Sequence, residues 1–211
     1  MRPVLVLAAV LVAVSFVSAQ EKPVAPDEVP PRYGFPYRVK TYPQATPKQA
    51  LESVLAAADR GDISYLVAHL LDPGFVDARV ADRSRQFELV ITDELSRLRD
   101  FQRKNPDQTP SATRLPDEPG KFQARVVADA RLRAFNQIIR DVREKLVDDP
   151  EVLKDLRRFY RQGTFPEAGD TTAKVGLPDV KDRAVFLKKI GDRWYIENRQ
   201  TDDKTPEPKK E

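Results

Sequence analysis

The sequence predicts an α+β domain, in which several N-terminal helices are followed by a small C-terminal antiparallel sheet of about three strands. Three observations carry this. Apolar residues recur at three- and four-residue intervals over 50–160, the period of helices with one buried face. After Gly169 the period falls towards two, and 172–177, 183–190 and 193–199 read as strands. Gly191-Asp192 separates the last two, and glycine first in a two-residue loop favours a type II′ hairpin.

Residues 1–19 read as a cleaved secretory signal peptide. Arg2 supplies the positive start, 4–17 is apolar apart from Ser15, and Val17-Ser18-Ala19 offers small residues at the cut. The apolar run is shorter than the ~20 residues that span a bilayer, so no transmembrane segment is expected after cleavage. The expected address is export from a bacterial cell, to the periplasm or the outside. The 211-residue chain has no cysteine, which rules out disulfides and lipid attachment at the cut, so packing alone must hold the fold.

Residues 20–45 form a proline-rich arm. Its second half interleaves Tyr33, Phe35, Tyr37 and Tyr42 with Arg32, Arg38 and Lys40. Such a pattern can bind nucleic acid or carbohydrate, or dock its rings on the domain, and docking is the expectation. The last segment, 200–211, is charged and carries Pro206 and Pro208, a disordered tail. A single domain over 46–199 remains.

Within it, Thr46-Pro47-Lys48-Gln49 is a capping box with proline at the first helical position. Ala50, Leu51, Val54, Leu55 and Ala58 line one face of the helix that follows. Asp62 starts a short second helix with Ile63, Leu66, Val67 and Leu70, which stops at Asp72-Pro73-Gly74. A third covers 84–103, with Phe87, Ile91, Leu95 and Leu98 at helical spacing. Residues 105–120 lack periodicity and read as a flexible loop. The helix over 121–147 carries Ala128, Leu132, Phe135, Ile139, Val142 and Leu146 as a narrow seam for another helix. Asp149-Pro150 opens the last helix, 151–162, with Leu153, Leu156 and Tyr160 inward and Gly163 closing it. In the hairpin, Lys189 should face Trp194 and Leu187 should face Ile196. Val185, Leu187, Trp194 and Ile196 then take the core side, leaving Phe186, Lys188, Tyr195 and Glu197 as a ligand or partner contact face.

Two stretches resemble a known family. Residues 46–62, with a second helix ending Leu70-Leu71-Asp72-Pro73, resemble the opening helix pair of nuclear transport factor 2-like domains. The stretch 185–196, with its Gly191-Asp192-Arg193-Trp194-Tyr195-Ile196 turn, is similar to that superfamily's last hairpin. The resemblance implies a curved sheet around a long helix with a cone-shaped cavity. It also implies a role among small-ligand binders, isomerases, cyclases and dimerising modules. Between the two stretches the sequence departs, since 84–162 reads as three helices.

The chemistry available is narrow. With 36 basic and 33 acidic residues the net charge is +3, unlike a chain built to neutralise phosphates, so nucleic acid is not an expected partner. One histidine, His69, cannot form a multi-histidine metal site, and no metal or cofactor is expected. His69 reads either as a general base oriented by Asp72 or as a helix-terminal residue capping carbonyls. Asp148-Asp149 reads either as paired carboxylates for a cation or as a helix end and the next N-cap. Arg157, Arg158 and Arg161, like Arg97, Arg99, Arg103 and Lys104, lie in last helical turns. They read as solvated helix ends or as a basic patch for an acidic ligand. No phosphate loop, dinucleotide fingerprint or hydrolase elbow occurs. The first functional expectation is an exported, non-enzymatic domain binding a small molecule or an envelope protein. The second is an isomerase- or cyclase-like enzyme using buried Asp and Tyr groups, with Tyr65, His69 and Tyr195 as catalytic candidates. The third is a structural interaction protein whose 121–147 seam engages a partner helix, a homodimer through that seam being one form of it.

Overall fold

Each long helix begins on a proline, whose fixed φ suits the first helical turn and whose missing N–H has no intrahelical partner there. The structure, a computed structural model, describes residues 31–110, 113–146, 148–165 and 171–199. The leader at 1–19, the first part of the arm at 20–30 and the tail at 200–211 lie outside the described residues. Helix α1 spans Pro47–Asp59, α2 is the single turn Ile63–Tyr65 and continues as a π turn over Leu66–Leu70, and α3 runs Pro73–Lys104. Helix α4 spans Pro119–Leu146 and α5 Pro150–Gln162. Strands β1 (Thr172–Leu177), β2 (Val180–Ile190) and β3 (Arg193–Ile196) form one antiparallel sheet in the order β1-β2-β3. The α+β class, helices first and a small sheet last, is as the sequence predicts.

Two N-caps act as their residue types suggest. Thr46 Oγ1 accepts from the Gln49 N–H at 3.2 Å, and Asp149 Oδ1 accepts from the Glu151 N–H at 3.1 Å. Asp72-Pro73-Gly74, expected as a stop, is also a start. Asp72 Oδ1 accepts from the Gly74 N–H at 3.0 Å and Pro73 is the first residue of α3. The same three residues can end one helix or cap the next, and here they do both, so α3 begins at Pro73 and not at 84.

The core is layered around α1. On one side Ala50 and Leu51 meet Phe159 of α5 and the sheet residues Ala173, Val175, Leu187 and Trp194. On the other, Val54, Leu55 and Ala58 meet Tyr65, Leu66, Leu70 and Leu153. A third cluster roots the α3–α4 hairpin on α2, through Ile63, Val67, Val76, Val80, Ala134 and Phe135. The hairpin then runs on with a thin core of its own, Ile91, Phe122, Val126 and Ala130. At 32 residues, α3 is about 48 Å long.

Two packing expectations need correction. The seam of α4 holds only in its second half, where Phe135 is buried and Ile139, Val142 and Leu146 are half-buried and packed. In its first half Phe122, Val126, Ala130 and Ala134 are buried, whereas Ala128 and Leu132 are exposed. Steps of four place the small Ala130 and Ala134 against α3, and small residues permit close approach. In the hairpin the expected register holds, with Lys189 opposite Trp194 and Leu187 opposite Ile196. Gly191 has φ 58°, as the first position of a type II′ turn requires. The face opposite the core is nevertheless covered. Phe186 is 2% exposed, beneath the Arg199 guanidinium 4.2 Å away, and Tyr195 is 9% exposed beside the arm. Of the four expected contact residues only Lys188 is exposed, and Glu197 is half-buried.

The loop after α3 is fastened. Gln102, itself buried, donates from Nε2 to the Thr113 carbonyl at 3.2 Å and accepts from the Leu115 N–H at 2.9 Å. At the other end of the fold, Gly163 sits where a Cβ would run into the Phe159 carbonyl and Val175 Cγ1. Gly163→Ala is therefore expected to lower stability by about 1–3 kcal/mol through overpacking. Urea unfolding of the two proteins measures it, and an unchanged midpoint would refute the close approach of α5 to β1.

Candidate functional site

The residues with most chemical potential gather where the arm crosses the π turn. A π turn carries one more residue per turn than an α-helix, and such turns are frequent at functional sites. Here the Leu71 N–H donates back to the Leu66 carbonyl at 3.2 Å. The turn leaves end carbonyls in need of donors, and the arm supplies them. Arg32 Nη1 donates to the Ala68 carbonyl at 2.9 Å, and Gln44 Nε2 donates to the His69 carbonyl at 3.0 Å. His69 answers by donating from Nε2 to the Phe35 carbonyl at 2.8 Å.

The arm is docked by its rings, as its interleaved pattern suggests. Tyr33 and Gly34 form a tight turn with positive φ, 53° and 85°, bracketed by paired hydrogen bonds between Arg32 and Phe35. A non-glycine residue there is strained by roughly 1–2 kcal/mol. It is held because the Tyr33 ring stacks on Phe135 at 4.2 Å and its hydroxyl donates to Asp77 at 2.5 Å. Further on, Tyr37 packs on His69 at 5.7 Å, and Tyr42 stacks on Tyr65 at 4.7 Å. Tyr65 itself lies 4.8 Å from the His69 ring.

Tyr37, Tyr42, Tyr65 and His69 together have the look of an aromatic cage for a cationic ligand. The cage is filled by the chain itself. Arg38 lies 4.5 Å from the Tyr65 ring and 5.2 Å from that of Tyr42, Arg60 lies 5.5 Å from Tyr42, and Arg193 lies 3.9 Å from Tyr37. Arg38 is in turn paired with Asp62 at 3.3 Å, and the Tyr42 hydroxyl donates to the same carboxylate. Asp62 therefore anchors the arm and makes no side-chain cap for α2.

Of the catalytic candidates, Tyr65 and His69 are brought together, and both are buried. Burial pushes the Tyr65 phenol up to about 12, and the hydroxyl is already occupied as acceptor from the Arg38 N–H at 3.1 Å. Desolvation holds the His69 imidazole below its ordinary range, so it stays neutral at pH 7 with Nε2 committed to Phe35. Asp72, its expected orienter, caps α3 instead. Tyr195 is on β3, against the arm, and no hydrogen bond joins it to these two among the described residues.

The sequence did not single out Gln44, which is 2% exposed. Its Nε2 bridges the His69 and Trp194 carbonyls at 3.0 and 2.8 Å, and its own main-chain carbonyl accepts from the Trp194 N–H at 2.9 Å. A lone glutamine in a proline-rich stretch gives no periodic signal, so only the fold exposes its role.

Elsewhere, α5 carries an open groove of about 250 Å³ lined by Lys154, Arg157, Arg158, Arg161 and Gln162. It collects the basic triad of the sequence on one face. Much of its charge is already paired: Lys154 with Glu151, Arg157 with Asp59 and Arg158 with Asp179. The second basic set is dispersed, with Arg97 on Asp93, Arg103 on Asp117 and Arg99 over the Phe122 ring. Among the described residues no group of three acidic or histidine side chains converges as a metal site, and no helix is long and apolar enough to cross a membrane. Compared with protein-family models, curated proteins and solved structures, the chain matches none.

Two outcomes follow for this cluster. Gln44→Ala takes a donor from each of two buried carbonyls, at about 1–3 kcal/mol apiece. It should lower stability by about 2–6 kcal/mol, read from urea unfolding, and a loss under about 1 kcal/mol would remove Gln44 from its bridging role. For His69, the unfolded imidazole binds a proton near 6.5 while the buried one resists it. In that window the unfolded state holds more protons, so stability falls as pH drops below about 6.5. His69→Gln should lack this part of the acid loss, and identical stability–pH profiles for the two proteins would show that the imidazole is not held neutral.

Proposed function

We propose that the chain is an exported, non-enzymatic interaction domain that engages a protein partner through its α3–α4 hairpin. One observation carries this reading. Of the seven large hydrophobic side chains left exposed among the described residues, five are on that hairpin: Leu89 (82%), Val90 (49%), Leu98 (44%), Phe101 (52%) and Leu132 (51%). Single exposed apolar residues are ordinary, but Val90, Leu98 and Phe101 fall within about a quarter turn of one another along α3, and such a group on one side of a helix marks a contact surface. The hairpin also extends beyond the layers that stabilise the domain, so its length is not needed by the core around α1.

The non-enzymatic part is supported by the state of the buried cluster. The His69 Nε2–H, the Tyr42 hydroxyl and the Arg38 guanidinium are engaged with other groups of the chain, and burial pushes the Tyr65 phenol up to about 12, which counts against an acid–base role near pH 7. Export rests on the leader read at 1–19. The resemblance to nuclear transport factor 2-like domains is consistent with the reading, since that superfamily includes interaction modules.

A photo-crosslinking residue placed at position 101, in the chain expressed in its native envelope, should capture a protein. The same residue at Glu52, exposed on α1, should not. Capture of nothing at position 101, or equal capture at both positions, would overturn the reading. In dilute solution, where nothing covers the hairpin, Phe101→Glu should leave the unfolding free energy within about 0.5 kcal/mol of the parent, as exposed positions usually do.

A further inference from the structure

We infer that the partner of the hairpin is a second copy of this chain, docked antiparallel along α3 about a two-fold axis between Leu95 and Ser96. This rests on the interaction reading above and names its occupant. Val90, Glu94, Arg97 and Phe101 follow one another at i, i+4, i+7 and i+11, so they form one narrow stripe along the helix. All four are exposed. An axis between residues 95 and 96 sets each stripe residue opposite its counterpart at equal distance. Val90 then meets Phe101 of the second copy, and Glu94 meets Arg97. Apolar faces apolar and acid faces base, and two-fold symmetry makes every such contact twice.

Other registers do not share this property. A parallel pairing brings Glu94 against Glu94 and Arg97 against Arg97. Sliding the antiparallel axis towards residue 94 or 97 again sets like charges face to face. The stripe therefore favours one arrangement and penalises its neighbours, which is how paired helices fix register.

No existing ion pair has to break. Glu94 takes two hydrogen bonds from Arg133, at 2.9 and 3.3 Å, and Arg97 holds Asp93 at 2.8 Å with its side chain 79% exposed. A carboxylate and a guanidinium each retain further bonding positions. Docking then joins Asp93, Arg97, Glu94 and Arg133 into one network across the axis, on both sides of it. The stripe from 90 to 101 is about 17 Å long, the small end of specific contacts. Dissociation on dilution is expected on the order of 1–100 µM.

Sedimentation equilibrium of the chain from residue 20 onward tests this. The parent should be dimeric above that range and monomeric below it. Glu94→Arg alone, and Arg97→Glu alone, should each weaken self-association at least about tenfold, while circular dichroism and the unfolding midpoint confirm that both remain folded. Mixed together they should associate again. The guanidinium introduced at position 94 of one variant then meets the carboxylate introduced at position 97 of the other, and the unaltered Arg97 and Glu94 meet across the same axis. Glu52→Gln, exposed on α1 and away from the hairpin, should leave the dimer intact. A parent that stays monomeric to about 500 µM, single variants that associate like the parent, or a mixture that fails to associate would each overturn the two-fold pairing. If the parent is monomeric and position 101 still crosslinks to a different protein, the pairing fails and the interaction reading stands. If it is monomeric and position 101 crosslinks to nothing, both fail.

Discussion

One buried amide joins the two halves of the fold. Gln44 lies between the last residues of the π turn and the last strand, giving its N–H groups to the carbonyls of His69 and Trp194. In a dry interior an unpaired carbonyl costs about 1–3 kcal/mol, so one side chain that serves two of them matters to both elements. The backbone repeats the link, since the Trp194 N–H donates to Gln44 and the Asp72 N–H donates to Ile196. Helices and sheet thus meet along a seam of main-chain groups, with a side chain as its clasp. Because Gln44 belongs to the arm, the arm from Arg32 onward is part of the domain rather than a leash to it.

That constraint explains why the groups around His69 are engaged with one another. The π turn exposes carbonyls that the arm must cover, and covering them brings Arg32, Phe35, Arg38 and Tyr42 down onto Tyr65 and His69. Guanidinium groups drawn towards a dry interior need π faces or carboxylates beside them, and they take the faces a ligand would use. Histidine, tyrosine and arginine in one cluster are the raw material of catalysis, yet here the His69 Nε2–H and the Tyr42 hydroxyl already have acceptors. Residue types alone do not distinguish the two cases, whereas hydrogen-bond partners do.

Helix starts were legible in the sequence because caps are local: Thr46 and Asp149 act within three residues of themselves. The hairpin register was equally legible, since Gly191 fixes the turn and alternation fixes the faces. What escaped was set by distant partners. Asp72-Pro73-Gly74 ends one helix and begins another, and only the length of α3 tells which role governs the following residues. The row of α4 that faces α3 is chosen by the small Ala130 and Ala134, which periodicity counts no more heavily than Ala128 and Leu132. Phe186 looked free because its cover, Arg199, comes from beyond the strand. Gln44 and the filled aromatic cage depend on contacts as far as 25 residues apart or more, which no window along the chain detects.

The same choice of row has a consequence for the surface. When alanines line a helix pair, the two backbones approach closely and few large side chains fit between them. Leu98, Phe101 and Leu132 then fall outside the contact, and the hairpin's own core thins to Ile91, Phe122, Val126 and Ala130. A helix of this length held by so thin a core would gain stability from any apolar cover along its outer face. The alternation of Val90, Glu94, Arg97 and Phe101 restricts what that cover can be. A generic apolar surface would leave Glu94 and Arg97 without new partners, while an inverted copy of the same stripe meets all four. Local thinness of the core and self-complementarity of the stripe therefore point the same way.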